Sequence, residues 1–265
     1  NSLKGHYVNS GPSGAPTRGK IEVLPTGKNF YSIDSRGLPT ESAWIVGSQS
    51  ASQIIDLFKQ DHGEDLKKIA ISVWATSTMR NGGEDICQIL YLLGVKPIWD
   101  GPSRRVINLE IIPLSILNRP RVDVTLRISG MFRDAFPQLI SLVHKAISLV
   151  ANLDEDINFN PILASIKNGN SLNRIFGSAP GSYGAGLQEL ISNSSWDNIN
   201  DFGESYLNWS KWIYSDTNEP IENKKELENA LKNIQVVIHN QDNREHDILD
   251  SDDYYQFQGG ISSAI

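Results

Sequence analysis

The sequence is short of the residues that build disulfide scaffolds and ready-made metal sites. A single cysteine, Cys87, stands among 265 residues, which excludes a disulfide framework and any structural zinc site needing several thiolates. The histidines fall in neither a His-x3-His nor a His-Glu-x-x-His pattern, so the zinc hydrolase signature is absent too. No apolar run approaches the roughly 18 residues of a membrane span. The opening NSLKGHYVNS has none of the regions of a signal peptide, and a cytoplasmic compartment is expected. The Asn-x-Ser sequons at Asn193 and Asn208 then carry no weight. Basic residues are outnumbered by acidic ones, 24 against 31 for a net charge of −7, whereas a nucleic-acid binder wants a basic face to displace counterions. There is no internal repeat. Gly181, Gly184 and Gly186 are spaced as G-x-x-G-x-G, the wrong order for a dinucleotide fingerprint, and Leu187-Gln188 follow where a P-loop has Lys-Ser/Thr.

What is present is an ordinary soluble composition, 39% hydrophobic and 21% charged, long enough for one large or two modest cores. Residues 1–39, with GPSGAPTRGK and VLPTGKNFYS, read as an extended strap, Phe30 and Tyr31 favouring contact over free motion. Thr40 is a fair N-cap for a helix that sets Trp44, Gly47, Ile54, Leu57 and Phe58 on one face before Gly63. From Lys68 the pattern alternates: the strand IAISVW, a polar loop TSTMRNGG, the helix EDICQILYLL stopped by Gly94, and a second strand KPIWD. This reads as a βαβ unit with a parallel pair. VINLEII and VDVTLRIS follow as strands, and a helix carries Phe136, Leu139, Ile140, Val143, Ile147 and Val150 at helical period. The expected fold class is α/β, an open parallel sheet flanked by helices, with a helical, aromatic-rich insertion and the N-terminal strap. The divisions are 1–39, an α/β domain over 40–152, a helical segment over 153–215, and a helix, strand and acidic loop over 216–265 joining the α/β domain.

Ligands in such sheets bind beyond the C-terminal ends of the strands. Two loops lie there, TSTMRNGGED with Arg80, Glu84 and the Gly82-Gly83 pair, and ISGMFRD with Arg133 and Asp134. Each sets an arginine beside an acid, which suits recognition of carboxylate side chains on a ligand. A tight turn, favourable charges in a first helical turn, or an Arg133–Asp134 pair explain the same residues equally well. The glycines around Tyr183 imply close backbone approach, to a helix or to a flat ligand.

The densest chemistry is His239 to Gly260, HNQDNREHDILDSDDYYQFQGG. It holds Asp242, Glu245, Asp247, Asp250, Asp252 and Asp253 with His239, His246 and one cation, Arg244. Such a cluster must be solvated, paired, or given a cation. The first reading is a solvated acidic loop or a helix cap at Asp250-Ser251; the second is a site handling a divalent ion. Tyr254 and Tyr255 stand where a calcium loop needs an oxygen ligand and a glycine, so it is no EF-hand. A mixed oxygen and imidazole set suits a first-row ion held loosely and released.

Five ordered blocks carry a resemblance: GPSGAPTRGK with VLPTGKNFYS, WATSTMRNGGEDICQILYLLGVKPIWD, NRPRVDVTLRISGMFRDAFPQLI, RIFGSAPGSYGAGLQELI, and NQDNREHDILDSDDYYQFQGG. Together they resemble the large subunits of the cobaltochelatase and magnesium chelatase family. The run Leu249-Asp250-Ser251-Asp252-Asp253 is the cobalt-type form, where the magnesium type has Phe-Asp-Ser-Asp-Pro. The resemblance implies that the intact protein binds hydrogenobyrinic acid a,c-diamide, a corrin, and inserts Co2+ as substrate metal. ATP and Mg2+ would belong to AAA+ partner subunits, in keeping with the missing P-loop. It implies Asp250, Asp252 and His246 as transient metal ligands, His246 alternatively as a proton acceptor, with Asp253 completing the catalytic set. Arg80, Glu84, Arg133, Asp134 and Tyr183 are implied on the substrate side. A porphyrin-binding magnesium-type subunit and a non-catalytic scaffold docking an AAA+ partner are the alternatives. The family protein is several times longer, its His-Gly-x-Leu-Glu-Trp motif is absent here, and the link from Asn158 to Arg174 is shorter than usual. A piece of a longer subunit, inactive alone, is therefore expected.

Overall fold

The computed structural model describes residues 2–11, 21–25, 34–216, 219–242, 247 and 250–265. Phe30 and Tyr31 of the expected strap lie outside the described residues, as does His246. Within 1–39, short 3-10 turns occur at Ser2–Lys4, Ile21–Val23 and Ser35–Gly37. Val23 and Leu38 are buried.

In chain order the elements are α1 (Glu41–His62), β1 (Lys68–Val73), α2 (Ala75–Asn81), α3 (Glu84–Leu93), β2 (Val95–Trp99), β3 (Val106–Ile111), α4 (Leu114–Leu117), β4 (Asp123–Ile128), α5 (Gly130–Ala135), α6 (Pro137–Ala151), α7 (Pro161–Lys167) and β5 (Ile175–Gly177). There follow α8 (Leu187–Ser192), α9 (Ile199–Ser210), β6 (Trp212–Ile213), β7 (Ile221–Glu222), α10 (Lys224–Leu231), β8 (Val236–Ile238) and α11 (Gly260–Ala264). The main sheet has the order β7-β6-β5-β4-β1-β8. β8, β1, β4 and β5 run parallel, and β6 and β7 add an antiparallel edge.

Period-two alternation divides the two faces of the sheet. Ile69, Ile71 and Val73 of β1, with Val124, Leu126 and Ile128 of β4, meet α1, α3 and α6 in the larger core. On the other face Ala70 joins Phe176, Tyr206, Leu207, Leu227, Leu231, Phe257 and Ile261 in a second core under α9, α10 and α11. Thr125 on this face donates to the Ala230 carbonyl, 3.2 Å away.

The expected βαβ pair does not form. β2 pairs antiparallel with β3 in a separate two-stranded ribbon, and the parallel neighbour of β1 is β4. The burial of each strand explains this: β4 is buried at every position, as an internal parallel strand must be, whereas β2 alternates. Pro97, lacking an N–H, also suits a ribbon better than a central ladder.

Three further expectations shift. TSTMRNGG is mostly helix α2, not loop, with Gly82 as its left-handed C-cap. The buried face of α1 is Ala43, Gly47, Ala51, Ile55 and Phe58, and Leu57 is exposed. The cause is the close approach of α3, for a Cβ on Gly47 would lie 2.7 Å from the Cβ of Cys87. The stretch 153–215 contributes strands β5 and β6 to the main sheet besides its helices. At three and two residues these strands are too short for periodicity to announce.

Two internal ion pairs tie the layers together. Arg121, fully buried, meets Glu155 at 2.7 Å and also donates to the carbonyls of Leu93, Gly94 and Ile112. Arg174 meets Asp123 at 2.7 Å, both side chains buried. Removing one partner of such a pair strands the other charge. Asp123→Ala should therefore cost about 3–5 kcal/mol in urea unfolding, and a loss below about 1 kcal/mol, the range of surface pairs, would show that Arg174 finds other partners.

Candidate functional site at the C-terminal edge of the sheet

β8, β1 and β4 end side by side, delivering His239, Trp74 and Ser129 to one edge. The ladder pairs Ser72 with Arg127 and Ile71 with Ile238. One step beyond the latter pair, His239 comes level with Ser72, so Arg127, Ser72 and His239 form a row across three strands. Ser129 caps α5 by accepting from the Phe132 amide at 3.2 Å. Across the row lies the C-terminal segment, whose Tyr254–Gly259 stretch is π-helical before passing into α11. Such turns occur often at functional sites.

Three adjoining clefts line this edge. The first, about 170 Å³, lies between α1, the start of α3 and residues 240–242, with Glu84 and Asp85 in its wall. The second, about 70 Å³, holds Trp74, Ser77, Arg80, His239, Asp242, Asp253 and Tyr254. The third, about 270 Å³, is the most apolar and holds Trp74, Gly130, Met131, Tyr183, Gly184, Asp253 and Phe257. Asn240, Gln241 and Asp242 border the first two; Trp74, Thr76 and Asp253 border the last two.

The aromatic floor is continuous. Trp74 stacks on His239 at 5.5 Å between centroids and packs on Phe257 at 4.3 Å, while Tyr254 covers His239 at 4.7 Å. Among the described residues, the buried Trp74 Nε1, His239 Nδ1 and Ser72 Oγ find no hydrogen-bond partner. Desolvation lowers the His239 pKa to about 4, so the imidazole is neutral at physiological pH. Arg127 is buried and, among the described residues, pairs with no carboxylate. It donates to Ser210 Oγ at 2.8 Å, to the Gly184 carbonyl at 2.7 Å and to the Ile128 carbonyl, and its guanidinium lies 5.0 Å from the Phe257 ring centroid.

Arg80 sits in the second cleft, but its partner is Asp242, held at 2.7 and 2.8 Å, rather than Glu84. Burial would raise the Asp242 pKa, yet the hydrogen bonds and charge of Arg80, with Ser77, bring it below the usual carboxylate range. Glu84 is pushed up by burial and by the Asp242 charge. Asp85 is pushed up to about 7 by burial, reinforced by Asp242 and Glu84 and opposed by the Asn240 hydrogen bond.

Arg133 and Asp134 pair at 2.6 and 2.9 Å. Arg133 also donates to the carbonyls of Ala179 and Ser182 at 2.6 and 3.2 Å, and Tyr183 donates to Asp134 at 2.8 Å. These three residues brace the glycine turn, and Tyr183 leaves an exposed ring at the third cleft. Of the glycines around Tyr183, Gly186 meets the close-packing role, since a Cβ there would overlap Trp209, whereas Gly181 faces open space and Gly184 has only Gln256 Oε1 nearby, at 3.4 Å from an added Cβ. Gly130 in the neighbouring loop is also close-packed, for a Cβ on it would lie 2.6 Å from the Tyr183 ring.

Asp250, Asp252 and Asp253 are exposed. Asp250 accepts from the Asp247 amide at 2.9 Å, Asp252 from Gln256 at 3.0 Å, and Asp253 reaches the second and third clefts. Among the described residues no three His, Cys, Asp or Glu side chains gather closely enough to hold a metal ion. Sequence reasoning left Trp74, Asp85 and Phe257 without a role and named Asp242 only as part of the acidic cluster, whereas the strand QVVIH already delivers His239 to a strand end. Trp74 was findable in the same way, from the end of β1; the Arg80–Asp242 pair joins positions 162 apart and had no local signal.

The model of the CobN/Magnesium Chelatase family matches residues 1–265. The chain belongs to the CobN/magnesium chelatase family. It is 48% identical over 280 aligned positions to the aerobic cobaltochelatase subunit CobN of Pseudomonas aeruginosa, covering 100% of this chain and 22% of that protein. It is 32% identical to the chloroplastic magnesium-chelatase subunit ChlH of Oryza sativa subsp. japonica, over 96% of this chain and 19% of that one. The catalytic subunit of cobaltochelatase from Mycobacterium tuberculosis superposes with a TM-score of 0.88 at 42% identity, covering 99% of this chain and 23% of that one. The chain thus spans about a fifth of the length of these CobN and ChlH relatives.

Asp85 yields a stability test. Its folded pKa of about 7 exceeds the ordinary aspartate value of 3.8, so the folded state keeps a proton that the unfolded chain gives up. The associated stability is present below the unfolded value and is lost as pH rises toward 7. Asp85→Asn cannot ionise, and its stability relative to the parent should grow by up to about 4 kcal/mol between pH 4 and pH 8. Parallel pH profiles in chemical denaturation would contradict this.

Proposed function

We propose that this chain is the part of a cobaltochelatase large subunit in which a corrin ring is seated and Co2+ is brought to it. The reaction class is a ligation that forms nitrogen–metal bonds. The observation that carries the reading is the contiguity of two unlike surfaces: Asp253 of the acidic loop borders the apolar cleft floored by Trp74, Met131, Tyr183 and Phe257. A flat macrocycle needs apolar and aromatic area with a few polar fixings. An incoming first-row ion needs oxygen and imidazole donors that bind weakly enough to let go.

In this reading hydrogenobyrinic acid a,c-diamide lies in the third cleft. Tyr183, braced by Asp134 and Arg133, borders the ring, and Arg80 and Glu84 orient its polar periphery or buttress the loop. Asp250, Asp252 and His246 act as transient ligands that replace water on Co2+, and Asp253 lies at the point of transfer. His239, neutral and stacked on Trp74, belongs to the floor. AAA+ partner subunits bind Mg2+ and ATP and drive the cycle, and the whole assembly is cytoplasmic.

A magnesium-type subunit acting on a porphyrin is the second reading. The Asp250-Ser251-Asp252-Asp253 run and the higher identity to CobN than to ChlH, 48% against 32%, favour cobalt. A scaffold that only docks an AAA+ partner would bind neither metal nor ring.

In the complete subunit with its ATPase partners, Asp252→Asn should slow cobalt insertion about 10-fold or more, as expected for loss of a group that acts on the reacting atoms. Undiminished insertion would remove the ligand assignment. Spectroscopic titration of the complete subunit should show tighter binding of the corrin than of protoporphyrin; the reverse order would favour the magnesium-type reading.

A further inference from the structure

The first cleft, at about 170 Å³, exceeds the second, at about 70 Å³, yet it lies on the side away from the apolar floor. Its deepest titratable group is Asp85, 3% exposed in the first turn of α3. Asn240 donates to Asp85 Oδ1 at 2.7 Å and to Gln88 Oε1 at 2.6 Å, and Gln88 in turn donates to Ser50 at 2.9 Å. Among the described residues no cation pairs with Asp85. The charged groups that face it are Glu84 on its own helix and, across the cleft, Asp242 with the Arg80 bound to it. α1 presents only Val46, Gly47 and Ser50 to this space. Buried carboxylates are normally paired or tied by several donors, so a carboxyl at this depth with one amide donor and two acidic neighbours is costly as a structural element. The same surroundings suit a group that takes up and gives back a proton, and burial sets its titration near neutrality.

Asn240 directly follows His239 in the chain, and Asn240, Gln241 and Asp242 border both this cleft and the one holding His239 and Asp253. A volume of about 170 Å³ exceeds what a single water requires, so the space suits a chain of waters between the two.

We infer that Asp85 receives the proton released from a ring nitrogen when the metal enters, and returns it to solvent past Glu84. The inference rests on the metal-insertion reading above. As each N–Co bond replaces an N–H bond, the electron pair stays on the nitrogen and the proton leaves through water to the Asp85 carboxylate, which becomes a neutral acid. Nothing is oxidised or reduced. Asp85 acts at a distance from the reacting atoms and is a proton-holding residue, not a ligand.

The test compares the complete subunit and its Asp85→Asn and Asp85→Glu variants with the ATPase partners, Co2+ and the corrin, from pH 5.5 to 9. In the parent, kcat should rise with pH through about 7 as Asp85 ionises, then level off. Asp85→Asn should lose that limb and fall about 10-fold or more on the plateau, with the KM for the ring changed less than twofold, and Asp85→Glu should restore a limb. An Asp85→Asn enzyme that keeps the limb, or that is slowed equally at every pH, overturns the inference while leaving the insertion reading intact. A parent enzyme that inserts no cobalt at any pH overturns the reading, and the inference falls with it.

Discussion

The parallel register of β4, β1 and β8 is the constraint on which the rest depends. Because the three strands run the same way, their C-terminal ends come out together, and whatever follows each strand is gathered at one edge. The pairing of Ser72 with Arg127, and of Ile71 with Ile238, puts Arg127, Ser72 and His239 in a row. Trp74 follows two positions further along the same face. A slip of one residue in β1 would turn Ile71 and Val73 out of the larger core and send Ser72 into it, so the burial of that core holds the site in register.

Charge is managed differently at the two ends of the sheet. At the N-terminal ends of the strands Arg174 and Asp123 are buried and mutually paired, and Arg121 is matched by Glu155. At the C-terminal edge pairing is partial. Arg80 is satisfied by Asp242, but Arg127 relies on a hydroxyl, carbonyls and the face of Phe257, and Asp85 on one amide. Trp74 Nε1 and His239 Nδ1 have no partner among the described residues. Unsatisfied polar groups of this kind are expensive in a core and are found where a protein does chemistry.

The C-terminal segment completes the edge as well as covering it. Phe257 is at once part of the second core, the cover of Arg127 and the neighbour of Trp74, while Asp252 and Asp253 on the same segment remain exposed. The π-helical turns let one short stretch present a buried aromatic and exposed acids in close succession. The acidic stretch is in this way anchored at one end by the Arg80–Asp242 pair and at the other by the packing of Phe257.

The sequence alone determined the class of the fold, because alternating buried strands and amphipathic helices leave few other architectures. It also located the helix ends at Thr40, Gly63 and Gly94, where capping chemistry is local, and it marked the acidic run and the arginine-bearing loops as the chemistry-bearing stretches. It misjudged the partner of β1, because whether a strand such as β2 joins a central sheet or a side ribbon depends on what covers its faces, and those covers come from distant residues. For the same reason only the tertiary structure decided that Arg80 belongs to Asp242, that Arg133 braces the glycine turn, and that Asp85 is buried beside Asn240. A side chain's charge state and partner are set by desolvation and by neighbours brought from far along the chain, and neither quantity is written in any local pattern of residues.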